Sequence, residues 1–124
     1  MNVLLIEPNK ILAQAYSSEL QVLGIKVAWV TGAEQAIRQI DKKLPDVVVL
    51  EPKLAGHSGV EFLHEFRSYE DWHDIPVIIF SSVPEYSFGA DEAVWQKFGV
   101  ERYLDKSRVS IRQLAGIIKS YGGK

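Results

Sequence analysis

Pro45-Asp46-Val47-Val48-Val49-Leu50-Glu51-Pro52-Lys53-Leu54-Ala55-Gly56-His57-Ser58-Gly59 is the stretch on which the reading of this chain turns. Val47–Leu50 is continuously apolar and mostly β-branched. A short run of that kind, without polar alternation, predicts a strand buried on both faces, as in a parallel sheet. Pro45 ends the connection that precedes it, and an acid, Glu51, stands where the run stops.

Comparable runs lie on either side. Val3–Ile6 and Val27–Val30 come before it; Val77–Phe80 and the weaker Val100–Leu104 come after. Helical patterns separate them. Ile11, Leu12, Ala15, Tyr16 and Leu20 are expected on one face of a first helix, with Leu23 close by and Gly24 as its stop. Thr31 is expected to cap a second helix with Ala33, Ala36, Ile37 and Ile40 as its stripe. Gly59 precedes a third with Val60, Leu63 and Phe66, and Phe62 beside them. Ala90–Phe98 predicts a fourth, stopped by Gly99, and Ser110 caps a fifth carrying Ile111, Leu114, Ala115 and Ile118.

Strands alternating with helices predict βαβ units around a parallel sheet, and right-handed crossovers place helices on both of its faces. The expected fold class is therefore α/β and doubly wound, with five parallel strands. The whole of residues 1–124 is expected to form one domain, since the sequence contains no repeat, low-complexity stretch or linker.

Composition narrows the function. The chain has 124 residues, 47% hydrophobic and 24% charged, with net charge −2 and no cysteine. A pI of about 5.9 gives no support to nucleic-acid binding. Lack of cysteine removes disulfide and thiolate chemistry. The first apolar run is four residues, Val3–Ile6, too short for a signal peptide, and no run approaches a membrane span. A cytoplasmic protein with no membrane association is expected. Glu7-Pro8-Asn9-Lys10 offers no glycine after the first strand, against nucleotide-binding loops.

In such a sheet the functional edge lies at the carboxyl ends of the strands. Glu7 and Pro8 stand there after the first strand, Glu51 after the third, Ser81 and Ser82 after the fourth, and Asp105 and Lys106 after the fifth. Two acids, a hydroxyl and an ammonium are thereby expected on one edge.

With these four segments in order, the chain resembles the receiver domain of bacterial two-component response regulators, along nearly its whole length. The resemblance implies a flavodoxin-like (βα)5 fold with strand order 2-1-3-4-5. It also implies a phosphorelay signalling module acting by protein contact, not an independent enzyme. Ser81 and Lys106 match family positions that engage the phosphoryl group, and Tyr103 matches the switch aromatic. Four positions depart from the pattern. Glu51 stands at the phosphoacceptor aspartate, Pro8 at a magnesium-binding acid, Ala55 at the proline of the loop after the third strand, and Ser107 at the proline after the lysine. The loop from Ser81 to Gly89 is also long for the family.

These departures bear on chemistry. Pro8 has no side-chain oxygen, so Glu7 and Glu51 are the remaining metal ligands and Mg²⁺ binding is expected to be weak or lost. One added methylene moves the Glu51 carboxylate on the order of 1 Å, a displacement that can cost roughly 10²-fold in rate. Ordinary aspartyl phosphorylation is expected to be absent, making this a pseudo-receiver without a cofactor. Three readings stay open: Glu51 holding an active-like arrangement through Ser81 and Lys106, an ion pair locking one state, and a structural salt bridge with no switching. The expected partners are proteins: a histidine kinase, an output domain or another regulator, with a homodimer through the face of the fourth helix, fifth strand and fifth helix as one form. A phosphorylatable receiver using Mg²⁺ and a purely structural dimerisation domain are the alternatives. His57, His64 and His73 lack metal-ligand spacing and read as surface residues. Trp95 reads either as an exposed partner anchor or as packing against the fifth strand.

Overall fold

The computed structural model describes residues 1–54, 57–85 and 92–121. In chain order the elements are β1 (Asn2–Ile6), α1 (Lys10–Val22), β2 (Lys26–Val30), α2 (Ala33–Lys42), β3 (Val47–Leu50), β4 (Lys53–Leu54), β5 (His57–Ser58) and α3 (Gly59–Ser68). A 3₁₀ turn at Glu70–Trp72 follows, then β6 (Val77–Ser81), α4 (Glu92–Lys97), β7 (Val100–Asp105) and α5 (Ile111–Tyr121). The main sheet runs β2-β1-β3-β6-β7, every pair parallel. Counting only its own strands, that is the order 2-1-3-4-5. The antiparallel pair β4–β5 and the 3₁₀ turn are additions the sequence reading lacks.

Continuous apolarity in the central strands has the expected cause. Leu4, Ile6, Val48, Leu50, Val77 and Ile79 face one layer with Ala36, Ile40, Phe62, Leu63, Phe66, Trp95 and Phe98 from α2, α3, α4 and its stop. Val3, Leu5, Val47, Val49, Ile78 and Phe80 face the other, with Leu20, Leu114, Ala115 and Ile118 from α1 and α5. Each fully buried side chain of this size contributes roughly 1.5–3 kcal/mol before entropy is counted. β3 and β6 are buried throughout and β1 from Val3 onward; β2 and β7 are sheet edges and only partly covered.

Three local expectations are corrected. Ile11 is 78% exposed and Ala15 is exposed; α1 buries the expected Leu20 together with Ala13 and Ser17, which the sequence reading left out. Those three lie at i, i+4 and i+7, and the polar Ser17 joins them because its hydroxyl accepts a bond from Gln21. Thr31 does not cap α2. Gly32 is the cap residue, and the Thr31 amide and hydroxyl both donate to the Gln35 side chain. Gly59 is the first residue of α3 rather than preceding it. The described part of the fourth helix begins at Glu92; Ala90, Gly89 and Ala55 lie outside the described residues.

Other ends form as read. α1 closes with Gly24 N–H donating to Gln21 O and Ile25 N–H to Leu20 O, a Schellman pattern. Ser110 accepts from Gln113 N–H while the Gln113 side chain accepts from Ser110 N–H, a capping box. No helix among the described residues is long and apolar enough to cross a membrane.

Candidate functional site

The order of the main sheet reverses at β1 and β3, so the crevice beyond their carboxyl ends is its topological switch point. The backbone delivers one acid from each side of it. Glu7 N–H donates to Val30 O of β2, and Glu51 N–H to Ile6 O of β1. Beyond the ladder, Lys106 N–H donates to Ser81 O, tying the end of β7 to that of β6.

The structure brings Glu7, Glu51, Ser81 and Lys106 together. Glu7 is 2% exposed, Glu51 7% and Ser81 1%. Lys106 Nζ lies 2.5 Å from Glu7 Oε1 and 3.1 Å from Glu51 Oε1. Ser81 Oγ donates to Glu51 Oε2 at 2.7 Å and accepts from Val83 N–H at 3.1 Å. Backbone donors complete the carboxylates: Asn9 N–H reaches Glu7 Oε2, and Lys53 N–H reaches Glu51 Oε2. The Lys53 side chain is solvated.

A lone acid this deep would be costly, and each here has both charge and hydrogen bonds to offset burial. For Lys106, burial works to lower the pKa; the Glu7 hydrogen bond and the charges of Glu51 and Glu7 outweigh it, so the pKa stands above the usual lysine value. Burial likewise pushes the Tyr16 hydroxyl up, against the pull of Lys106. Asp105, half-exposed at the end of β7, is held low by the hydroxyl and amide of Ser107, the residue standing at the family's proline.

Tyr103 is half-buried. Its ring lies 5.8 Å from that of Trp95, and its hydroxyl donates to Val83 O at 2.6 Å. Trp95 is itself buried, 2% exposed, so it packs against β7 and is no exposed anchor. Glu51, Ser81, Val83 and Tyr103 thus form one unbroken hydrogen-bonded series from the sheet edge to the α4–β7 surface.

The fit to Mg²⁺ is poor. The ion requires near-octahedral oxygen coordination. This edge offers two carboxylates that already share Lys106, and Pro8 adds no side-chain oxygen. Among the described residues no group of three or more His, Cys, Asp or Glu could hold a metal. His64 lies edge-on to Phe98 and His73 Nε2 is 2.9 Å from Arg67 O, both away from the acids; the His57 side chain lies outside the described residues.

Three contributors escaped the sequence reading. Asn9 caps α1 by accepting from Leu12 N–H, which aims its own amide at Glu7; an Asn just ahead of a helix was the available signal. Tyr16 and Phe80 were read as core, yet Lys106 Nζ lies 5.7 Å from the first ring centre and 5.9 Å from the second.

With this geometry in hand, known proteins supply a comparison. The family model for the response regulator receiver domain matches residues 3–119. Transcriptional regulatory protein KdpE of Mycobacterium tuberculosis is 30% identical over 118 residues, covering 90% of this chain and 51% of that protein. KDP operon transcriptional regulatory protein KdpE of Escherichia coli is 25% identical over 119 residues, covering 90% and 52%. The chain therefore spans about half the length of these relatives. The structure of a CheY-like receiver domain from Methylobacillus flagellatus matches with TM-score 0.80 and 20% identity, covering 98% of each chain. At that identity the likeness speaks to the fold, which is the flavodoxin-like one.

Proposed function

Because this chain belongs to the response regulator receiver family of two-component signalling, we propose that it is a pseudo-receiver, set by protein contact rather than by phosphate on Glu51. One observation carries the reading: both Glu51 oxygens are already engaged, Oε1 by Lys106 and Oε2 by Ser81 and Lys53 N–H. Acyl phosphate formation needs a carboxylate oxygen free to approach phosphorus in line, with cations to neutralise the incoming charge. Here the hydroxyl and the ammonium serve the carboxylate itself. Glu51, one methylene longer than Asp, reaches the groups that the family turns on a phosphoryl group.

The same contacts favour an active-like arrangement over an inert salt bridge. Ser81 is drawn to Glu51, and the Val83 carbonyl holds the Tyr103 hydroxyl. The surface so fixed, α4–β7–α5, is the proposed contact face for a kinase, an output domain or a second copy. The chain does not act directly on nucleic acid in this reading, and its proposed place is the cytoplasm.

The test is incubation with acetyl phosphate and Mg²⁺ followed by intact mass, beside a Pro8→Asp/Glu51→Asp double variant. The expected outcome is no phosphate adduct on the native chain and an adduct on the variant. An adduct on the native chain overturns the proposal in favour of a phosphorylatable receiver.

A further inference from the structure

Lys106 is enclosed to an unusual degree for a lysine. Its side chain is 12% exposed. Two carboxylate oxygens hold the ammonium, and two aromatic rings, Tyr16 and Phe80, flank it at 5.7 and 5.9 Å. The rings themselves meet edge to face at 5.5 Å between centroids. Acids together with aromatic faces are the surroundings proteins build for an alkylammonium group.

We infer that Lys106 is the resident cation of this site, standing between Glu7 and Glu51 where a divalent ion would otherwise bridge them, so that the native chain excludes such ions there. The inference deepens the proposed phosphate-independent function and rests on it. Glu7 Oε1 and Glu51 Oε1 converge on one nitrogen, while their Oε2 atoms are turned to backbone and hydroxyl donors. Removing the ammonium leaves two buried like charges aimed at one point. A divalent cation is the natural replacement, with water completing the coordination that Pro8 cannot supply.

Mn²⁺ is the probe, read by electron paramagnetic resonance and by thermal unfolding with and without the ion, on the native chain and on Lys106→Met. The native chain is expected to show no saturable Mn²⁺ binding and no shift in Tm. Lys106→Met is expected to gain binding at least about tenfold tighter than the native chain, with a Tm that rises with ion concentration. Adding Glu51→Gln to Lys106→Met should abolish both effects. Saturable binding by the native chain overturns the inference, as does a folded Lys106→Met that binds no better. If Lys106→Met does not fold alone, recovery of its circular dichroism on refolding with Mn²⁺ supports the inference, and no recovery at any Mn²⁺ concentration overturns it. Failure here is separable from failure of the proposed function: Mn²⁺ binding without a phosphate adduct sinks only the resident cation, whereas an adduct without native Mn²⁺ binding sinks only the phosphate-independent reading.

Discussion

Two partly buried cations sit at opposite edges of the sheet, and they are held by different means. At the carboxyl edge Lys106 is held by two formal charges, Glu7 and Glu51. At the amino edge Arg67 is held by neutral backbone. Its Nε donates to Phe98 O, Nη1 to Trp72 O and Nη2 to Ile75 O, all between 2.6 and 2.7 Å, with His73 O and Gly99 O further off. The planar fork of Arg suits several acceptors at fixed angles, while the ammonium of Lys suits point charges. The Lys106 pKa is held up by its acids. Arg67 is lowered, by burial first, with Asp74 and Glu101 opposing. One cation is the centre of the proposed function, and the other ties the end of α3 to the starts of β6 and β7.

The largest effect is expected where charge balances charge. Lys106→Met strands two buried carboxylates and should cost roughly 3–5 kcal/mol in urea unfolding without added ions. Restoring balance by adding Glu51→Gln should recover a substantial part, because Glu51 and Lys106 belong to one network and their effects do not add. A loss below about 1 kcal/mol for Lys106→Met would mean that the acids were never dependent on it, and the contrast with Arg67 would collapse.

That contrast also explains what was legible in the sequence. Glu7, Glu51, Ser81 and Lys106 stood out because chemistry-bearing side chains closed four apolar runs, and the parallel topology sends those run ends to one edge. Arg67 sent no signal: its partners are carbonyls, which every residue carries. The strands were readable because burial on both faces demands continuous apolarity. The α1 face was readable only in part: Leu20 and Tyr16 lie where expected, but Ser17 satisfied its hydroxyl locally and took a core position, leaving Ile11 outside. The pair β4–β5 spans two residues a side, below what alternation can register. The reach of Glu51 to both Ser81 and Lys106 was one of several open readings, since side-chain length alone does not say which oxygen meets which donor.

The next effect sharpens the amino edge. Arg67→Lys keeps the charge and loses the fork, so it should cost roughly 2–3 kcal/mol, the range of a charge-assisted bond or two left unmade. Gly99→Ala should approach that loss by another route. Gly99 has φ +72°, and an added Cβ would lie 2.5 Å from Arg67 Nη2. The left-handed backbone alone costs about 1–2 kcal/mol, and the methyl would push the guanidinium from its carbonyls. The two substitutions should therefore be strongly non-additive in a double-mutant cycle. Additivity would show that Gly99 and Arg67 act independently and that the carbonyl cage is looser than its distances imply.

Ser81→Ala comes next, at about 2 kcal/mol for a hydrogen bond to a buried charge and a Val83 amide left without its acceptor. The expected signature is local: hydrogen exchange should quicken at Val83 while the amides of Arg67's neighbours at the far edge keep their protection. Quickening at both edges would mean that the two anchors open together, and the comparison between them would have to be redrawn as one cooperative unit.

The smallest effect lies at the end of the series that leaves Glu51. Burial pushes the Tyr103 hydroxyl up to about 12, from an ordinary value of 10.0. The folded state thus binds this proton more tightly than the unfolded state does. Its contribution to stability is complete below about 10 and is lost as pH rises toward 12. A tyrosinate absorbance titration should show a late step near 12 that Tyr103→Phe removes. The same substitution deletes the donor to Val83 O and should cost about 1 kcal/mol at neutral pH. If Ser81 and Tyr103 are linked through Val83, Ser81→Ala should change the position of that late step, whereas Arg67→Lys should leave it in place. An unmoved step in Ser81→Ala would show that the α4–β7 surface holds Tyr103 without help from the acidic edge, and Glu51 would then be a lock with no reach beyond its own crevice.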